Sequence, residues 1–127
     1  MRLTIVESPY NTPSRSRLEC IRYALWCCAD CDARGEGCFA SHLFFTQFFA
    51  ETEEGRALGL AYRDEIARRL QCTVARYTDI GQTPGMFRDI DALGVVETRQ
   101  LTGDIRARWL AGEWPPCSAR LRIPCLE

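Results

Sequence analysis

The sequence lacks long blocks of charge and long apolar runs. Sixteen basic residues stand against seventeen acidic ones, the net charge is -1, and neither sign gathers into an extended block. A protein that grips the nucleic-acid backbone regardless of sequence needs such a block, so we expect no DNA or RNA polymer as partner. No stretch approaches ~18 consecutive apolar residues, and the N-terminus lacks the pattern of a secretion signal. These absences predict no membrane partner and a cytoplasmic location.

Histidine is scarce in this chain and cysteine is abundant, with one histidine and eight cysteines. An even number of cysteines in a secreted chain would indicate disulfides, but in a reducing cytosol we expect free thiols. Cys28, Cys31, Cys38 and His42 superficially resemble a metal-binding spacing. A helix would aim Cys28 and Cys31 along one buried stripe and leave Cys38 across a turn, so we favour neither a metal nor another cofactor.

The length of 127 residues and the hydrophobic content of 46% suit one core rather than two. Alternating and β-branched runs predict strands at residues 3–7, 38–41, 72–78 and 95–98. Helical spacing predicts a helix after each of the first three strands. The first has an apolar stripe of Leu18, Ile21, Leu25 and Cys28, the second of Leu58, Ala61, Tyr62 and Ile66, and the third of Met86, Ile90 and Leu93.

Local signals place the helix starts. Ser16 with Glu19 forms a possible capping box, and Thr52 precedes two glutamates that suit the positive end of a helix dipole. The alternation of strands and helices predicts an α/β fold. We expect a single-domain three-layer sandwich with a mostly parallel sheet of four to five strands, Rossmann/flavodoxin-like. Residues 1–101 would form this domain, and residues 102–127 a C-terminal extension that packs on it or on a partner subunit.

Three loops follow strand ends in this layout, at residues 8–11, at Ser41 with His42, and at residues 79–85. Ligands of parallel α/β sheets bind at the carboxyl ends of the strands, so these loops define the expected cleft. Gly85 lets the backbone turn tightly, and the free N–H groups around Met86 at the following helix start suit an anionic oxygen. Thr83 adds a hydroxyl at the same place.

Two carboxylates, Asp89 and Asp91, lie on the helix that follows this turn. At 100° per residue, Asp89 lies about 80° from the centre of the buried face and Asp91 about 120° from it. Asp89 is therefore the carboxylate that flanks the cleft. Spacing alone favours the plainer interpretation that both are solvated residues typical of the N-terminal half of a helix.

His42 also admits two interpretations. With Ser8 or Ser41 it would be conceivable in a Ser-His-Asp arrangement, but adjacency in sequence gives no such geometry. A lone histidine near a strand end is more often a structural hydrogen-bonding residue, and it still lines the expected pocket.

The cluster of four phenylalanines at residues 44–49 fits a core or a subunit interface better than a base-stacking platform.

Four segments carry a family resemblance: Ser8-Pro9-Tyr10 and residues 41–47, 54–60 and 78–86. In this order they resemble a phage and bacterial group related to nucleoside 2-deoxyribosyltransferases, over about residues 3 to 98. The resemblance implies a nucleoside or nucleotide ligand, held by Ser8, Pro9, Tyr10, His42, Thr83, Gly85 and Met86. If a phage encodes the chain, the location would be the host cytoplasm.

The resemblance also implies catalytic roles. In the transferases and related N-glycosidases a glutamate four residues after a glycine attacks the anomeric carbon, and the glycosyl-enzyme is resolved by water or another base. Gly85 and Asp89 have this spacing, with the shorter aspartate as candidate nucleophile. Tyr10 corresponds to an aromatic residue that steadies the sugar or the carboxylate, Thr83 to a phosphate-holding hydroxyl, and Asp79 is the candidate acid or orienting group.

Three hypotheses follow. The protein cleaves or transfers at an N-glycosidic bond, or it binds a nucleotide without turnover as a sensor, carrier or phage-encoded sponge for a nucleotide immune signal. The hypothesis of binding without turnover is motivated by the aspartate that stands where the family has glutamate. A plainer third is a structural protein whose phenylalanine- and tryptophan-rich surfaces join subunits. We also expect a homo-oligomer, because related sites are commonly completed by a neighbouring subunit. Trp109, Trp114 and the phenylalanines also supply apolar surface that a small domain does not fully bury.

Overall fold

The computed structural model describes residues 1–86 and 95–116. Four parallel strands form one sheet in the order β2-β1-β3-β4. Strand β1 is Leu3–Glu7, β2 is Gly37–Phe39, β3 is Thr73–Tyr77 and β4 is Val96–Arg99. The helices are α1 at Arg17–Ala33, α2 at Ser41–Phe45, α3 at Glu53–Leu70 and α4 at Gly103–Leu110, with a 3-10 turn at Pro84–Met86.

The sheet separates two hydrophobic layers because successive side chains of a strand point to opposite faces. Val6 of β1 packs with Ala75 and Tyr77 of β3 against α1 and α4. Ile5 and Val74 lie on the other face against α3. The expected three-layer α/β sandwich with a parallel sheet is therefore confirmed.

The two long helices begin where the capping signals predict. The Ser16 hydroxyl accepts a hydrogen bond from the Glu19 N–H at 3.2 Å, and the Thr52 hydroxyl accepts one from the Gly55 N–H at 3.1 Å. Each bond satisfies a backbone donor that has no partner within the helix. Helix α3 ends at Leu70 and is capped by Gln71, whose φ of 52° lies in the left-handed region.

The predicted apolar stripe of α1 is largely wrong, although its Cys28 is partly buried against the core. Leu18 is 62% exposed and Leu25 37% exposed. The buried residues of this helix are Cys20, Tyr23, Ala24, Trp26, Cys27, Asp30 and Cys31. The face toward the sheet is built from small cysteine and alanine side chains and from aromatic residues whose polar groups are hydrogen-bonded. The positions of the leucine and isoleucine residues therefore do not predict the buried face of α1.

The predicted stripe of α3 is also largely wrong, because Leu58 and Tyr62 are 47% and 48% exposed. Its buried residues are Gly55, Arg63 and Ala67, with Ile66 partly buried. An arginine occupies the buried face because a carboxylate of the sheet pairs with it. The second strand is shorter than predicted, since Ser41 already begins α2. The predicted helix through Ile90 and Leu93 lies outside the described residues, apart from its first residue.

The chain after β4 packs back on α1. Trp109 of α4 is 5% exposed and its ring lies 5.1 Å from that of Tyr23. The Trp26 indole N–H donates to the Glu113 carbonyl at 2.8 Å, whereas Trp114 remains 46% exposed.

Within the described ranges, the structure contains no helix with the length and apolar character needed to cross a membrane.

Candidate functional site

A cleft of about 820 Å³ lies at the carboxyl ends of the strands. The chain moves from β1 to β2 on one side and returns past β1 to β3 on the other, so the strand order reverses there. Ligands of open α/β sheets bind at such a point. The polar residues that line the cleft are Glu7, Ser8, Tyr10, Asn11, Ser41, His42, Thr46, Glu51, Glu53, Arg56 and Thr83.

The structure brings together five of the residues selected from the sequence. Ser8, Tyr10, His42, Thr83 and Met86 all line this cleft. They lie in the segments that follow β1, β2 and β3, with His42 in α2 and Met86 in the 3-10 turn. These segments meet because parallel strands end at one edge of the sheet.

The other selected residues are placed differently. Pro9 is buried beside Ser8 and does not line the cleft. Gly85 belongs to the 3-10 turn, whose other two residues are lining residues. Asp89 and Asp91 lie outside the described residues.

Ser8 and His42 form a side-chain pair in the cleft. The Ser8 Oγ and the His42 Nε2 are 2.9 Å apart, and the ring tautomer decides which atom donates. The His42 Nδ1 is buried and has no hydrogen-bond partner among the described residues. Burial disfavours the imidazolium and lowers the pKa of His42 to about 4, with a further contribution from the Arg63 charge. The pair is thus a neutral imidazole and a hydroxyl, and no described carboxylate completes a triad.

A buried carboxylate, Glu7, lies at the end of β1 and lines the cleft. Its Oε1 lies 3.2 Å from the Arg63 Nη1, and both side chains are almost fully buried. Burial raises the pKa of Glu7 to about 7, outweighing the opposite effect of Arg63. Sequence reasoning missed this pair by treating Glu7 only as the last residue of a buried strand. An acidic residue that ends such a strand, directly before a cleft loop, was the available signal.

Tyr10 is held from one side. The Arg17 guanidinium lies 4.5 Å from the centre of the Tyr10 ring, a cation-π distance. Arg17 also donates to the Asn11 Oδ1 at 2.5 Å and pairs with Glu51 across the mouth of the cleft. The loop after β1 is therefore fastened to the segment before α3.

Asp79 is not among the residues that line the cleft. Its side chain is 1% exposed and accepts hydrogen bonds from the Tyr23 hydroxyl at 2.5 Å and the Leu101 N–H at 3.1 Å. Arg106 of α4 pairs with it at 3.1 Å. Asp79 thus joins α1 to the chain around α4, on the opposite side of the sheet from α3.

The cleft has an apolar wall and a charged rim. Phe45, Phe49, Leu60 and Met86 supply apolar surface. Among the described lining residues, Arg56 in the first turn of α3 is the only positively charged one. In residues 1–86 and 95–116, no cluster of three or more His, Cys, Asp or Glu side chains has the arrangement of a metal site. The lining suits an organic ligand with one flat apolar part and one anionic or hydroxylated part.

Comparison with known proteins gives one match. Residues 2–99 match a family described as a domain of unknown function (DUF7768). No curated protein and no solved structure matches the chain.

Proposed function

The chain belongs to this family, whose description gives no activity, and we propose that it binds a nucleoside or nucleotide in the cleft. One observation carries the proposal: Ser8 and Tyr10 after β1, His42 after β2 and Thr83 after β3 line a single cleft. The reversal of strand order puts that cleft where α/β sheets bind their ligands.

The lining matches the parts of a nucleotide. A base fits against Phe45, Phe49 and Met86, because a flat heterocycle gains by covering apolar and aromatic surface. Ribose or deoxyribose hydroxyls fit Ser8 and the Nδ1 of His42, which has no partner within residues 1–86 and 95–116 and gains a hydrogen bond when ligand is bound. A cleft of about 820 Å³ is large enough for such a ligand.

Arg56 and Thr83 are the residues we assign to a phosphate. Arg56 supplies the positive charge of the described lining, and Thr83 supplies a hydroxyl at the turn before Met86. A guanidinium and a hydroxyl are both usual donors to phosphate oxygens. Since Glu51 and Glu53 also face the cleft, we expect a monophosphate to bind better than a more highly charged triphosphate.

Turnover at the N-glycosidic bond is the catalytic form of the proposal. By resemblance, the Asp89 carboxylate forms a bond to the anomeric carbon while the bond to the base breaks, and water or a second base then displaces the carboxylate. The departing base needs a proton. Glu7 supports this chemistry, because a buried carboxyl with a pKa of about 7 carries a proton in a large fraction of molecules at neutral pH.

The alternative is binding without turnover, as in a sensor, a carrier or a phage-encoded sponge for a nucleotide immune signal. The sequence has the shorter Asp89 where the resembled enzymes have glutamate. That difference withdraws the candidate nucleophile by one methylene and favours recognition over cleavage.

Two measurements separate these possibilities. Isothermal calorimetry with deoxynucleosides and deoxynucleoside monophosphates measures binding, and chromatography of the same mixtures detects free base. Free base that disappears with Asp89→Asn and persists with Asp91→Asn would support the enzyme. Tight binding without free base would support the non-catalytic protein, and absence of binding to every nucleoside and nucleotide tested would refute both.

The phosphate assignment has a matched control on the same helix. Arg56→Gln should weaken binding of a monophosphate about tenfold or more and leave nucleoside binding within about twofold. Arg68→Gln removes an equal charge from the exposed end of α3 and should change neither affinity. Equal effects of the two substitutions would show that only the net charge of the protein matters.

We further propose self-association through the aromatic surface of α2, the turn that follows it and α3. Phe44 and Phe48 are 53% and 58% exposed, and Leu58 and Tyr62 lie on the neighbouring helix with about half of their surface exposed. A small domain gains by covering such a patch. Sedimentation should show a dimer or larger species at micromolar concentration, and Phe48→Ser should shift it toward monomer. A monomeric wild-type protein would contradict this expectation.

A further inference from the structure

Two cysteines that are not part of the cleft lining face each other between α1 and β2. Cys38 is the middle residue of β2, which is an edge strand of the described sheet, and it lies opposite Thr4 of β1. Thr4 shares a face with Val6, which packs against α1. The register therefore directs the Cys38 side chain toward α1, where Cys28 lies.

Cys28 and Cys38 are neighbours between α1 and β2. The Cys38 thiol donates to the Cys28 carbonyl oxygen at 3.5 Å, and the two thiols influence each other's protonation. Cys38 is exposed and Cys28 is half-buried. A small oxidant in solution can therefore reach Cys38 first, with Cys28 beside it.

Neighbouring cysteines of α1 do not share this environment. Cys27 and Cys31 are fully buried, and the Cys31 Sγ lies 3.4 Å from the Tyr77 hydroxyl on the core side. Burial raises the pKa of both thiols. They are small core residues with little thiolate to react.

Cys28 and Cys38 differ in the pKa of their thiols. The hydrogen bond from Cys28 stabilises the Cys38 thiolate and lowers the pKa of Cys38 to about 7, while the pKa of Cys28 is raised. The thiolate is the reactive form of cysteine. Cys38 therefore has the exposure and the charge of an attacking thiol, and Cys28 has the position of a resolving thiol.

We propose that Cys28 and Cys38 form a reversible oxidation site, in which a peroxide converts the two thiols to a disulfide that links α1 to β2. The Cys38 thiolate attacks hydrogen peroxide, its sulfur is oxidised to a sulfenic acid, and hydroxide leaves. The Cys28 sulfur then attacks the sulfenic sulfur, the S–S bond forms, and the sulfenic oxygen leaves as water. The two thiols lose two electrons in total, which reduce one peroxide, and a dithiol such as dithiothreitol reverses the change.

The site is independent of what the cleft binds. Cys38 precedes His42 by four positions in the chain, and β2 leads directly into α2. Oxidation nevertheless requires no ligand and no residue of the cleft.

The test is peptide mapping of the full chain after treatment with a small excess of hydrogen peroxide and blocking of the remaining thiols. Trypsin cleaves after Arg22, Arg34 and Arg56, which places Cys28 in residues 23–34 and Cys38 in residues 35–56. A linked pair of these peptides, lighter by two hydrogens than their sum and separated by dithiothreitol, is the expected product. Iodoacetamide at neutral pH should label Cys38 at least about fivefold faster than any other described cysteine.

Matched serine variants identify the two sulfurs. Cys28→Ser and Cys38→Ser should each abolish the linked pair, whereas Cys31→Ser, which alters the same tryptic peptide as Cys28, should leave its yield unchanged. Three results would overturn the site: no linked pair from the wild-type protein, a Cys38 that is modified only to sulfonic acid, or a link that survives Cys28→Ser and disappears with Cys31→Ser. Circular dichroism of each variant shows that it is folded before the comparison is made.

Discussion

The hydroxyl of Ser8 and the Nε2 of His42 lie 2.9 Å apart although 34 positions separate the two residues in the chain. Each follows a strand of the parallel sheet, and β1 and β2 are neighbours. The register of two strands therefore places the only histidine of the chain beside the first residue after β1. Burial lowers the pKa of His42 to about 4, so near neutral pH its imidazole offers hydrogen-bonding atoms rather than a positive charge.

The protonation of His42 can be measured directly, because one histidine gives one set of imidazole signals in NMR. We expect a titration midpoint near pH 4 in the folded protein and near 6.5 in urea. Between these values the unfolded state binds more protons, so this residue makes stability rise with pH from about 4 to 6.5. A midpoint near 6.5 in the folded state would show that the ring is solvated.

Glu7 should change the pH dependence of stability in the direction opposite to that of His42. Its pKa of about 7 in the fold exceeds the ordinary 4.5, so the folded state holds more protons between these values and stability falls as pH rises through that range. Glu7→Gln should remove this loss. In denaturant unfolding of Glu7→Gln from pH 4.5 to 6.5, the His42 contribution should then raise the free energy of unfolding by up to about 1.4 kcal/mol per pH unit. The rise should be smaller in the wild-type protein, because Glu7 opposes it. An unchanged slope in Glu7→Gln would contradict the assigned shift.

Much of the architecture was predictable because its signals are local. Ser16 and Thr52 cap helices where their sequence context indicates, and the alternation of strands and helices gives the parallel sheet. The inward faces of α1 and α3 were not predictable from aliphatic residues. The buried Arg63 pairs with the adjacent Asp64 and, across space, with Glu7, and the pairing with Glu7 over 56 positions has no local signal.

The position of the candidate site was predictable from the sequence, but the partners of its carboxylates were not. Loops after parallel strands meet at one edge, so Ser8, His42 and Thr83 could be assembled from the strand assignments alone. The partners of a carboxylate are a matter of packing. Asp79 follows β3 closely, as a cleft residue would, yet its oxygen atoms are bonded to Tyr23, Leu101 and Arg106.

Gly55 should tolerate no side chain. A Cβ at this position would collide with the carbonyl oxygen of Ala50, which is rigid backbone before α3. Gly55→Ala should lower the free energy of unfolding by about 2 kcal/mol or more. Gly59→Ala is the control one turn later, since its Cβ would meet the Phe45 Cβ at an ordinary 3.6 Å and alanine favours a helix by about 1 kcal/mol. Thermal unfolding of both variants distinguishes the two environments, and equal effects would contradict the close approach.

Asp79 gives the sharpest separation of a structural role from a catalytic one. Its buried carboxylate accepts two hydrogen bonds and an ion pair from three separate segments, so Asp79→Asn should destabilise the protein by about 2 kcal/mol in denaturant unfolding. Asp104→Asn changes an exposed aspartate in the first turn of α4 and should cost well under 1 kcal/mol. Because Asp79 does not line the cleft, neither variant should change nucleotide affinity by more than about twofold under conditions where both are folded. If Asp79→Asn instead keeps full stability and abolishes release of free base, the carboxylate acts on the substrate, and the cleft must rearrange to reach it.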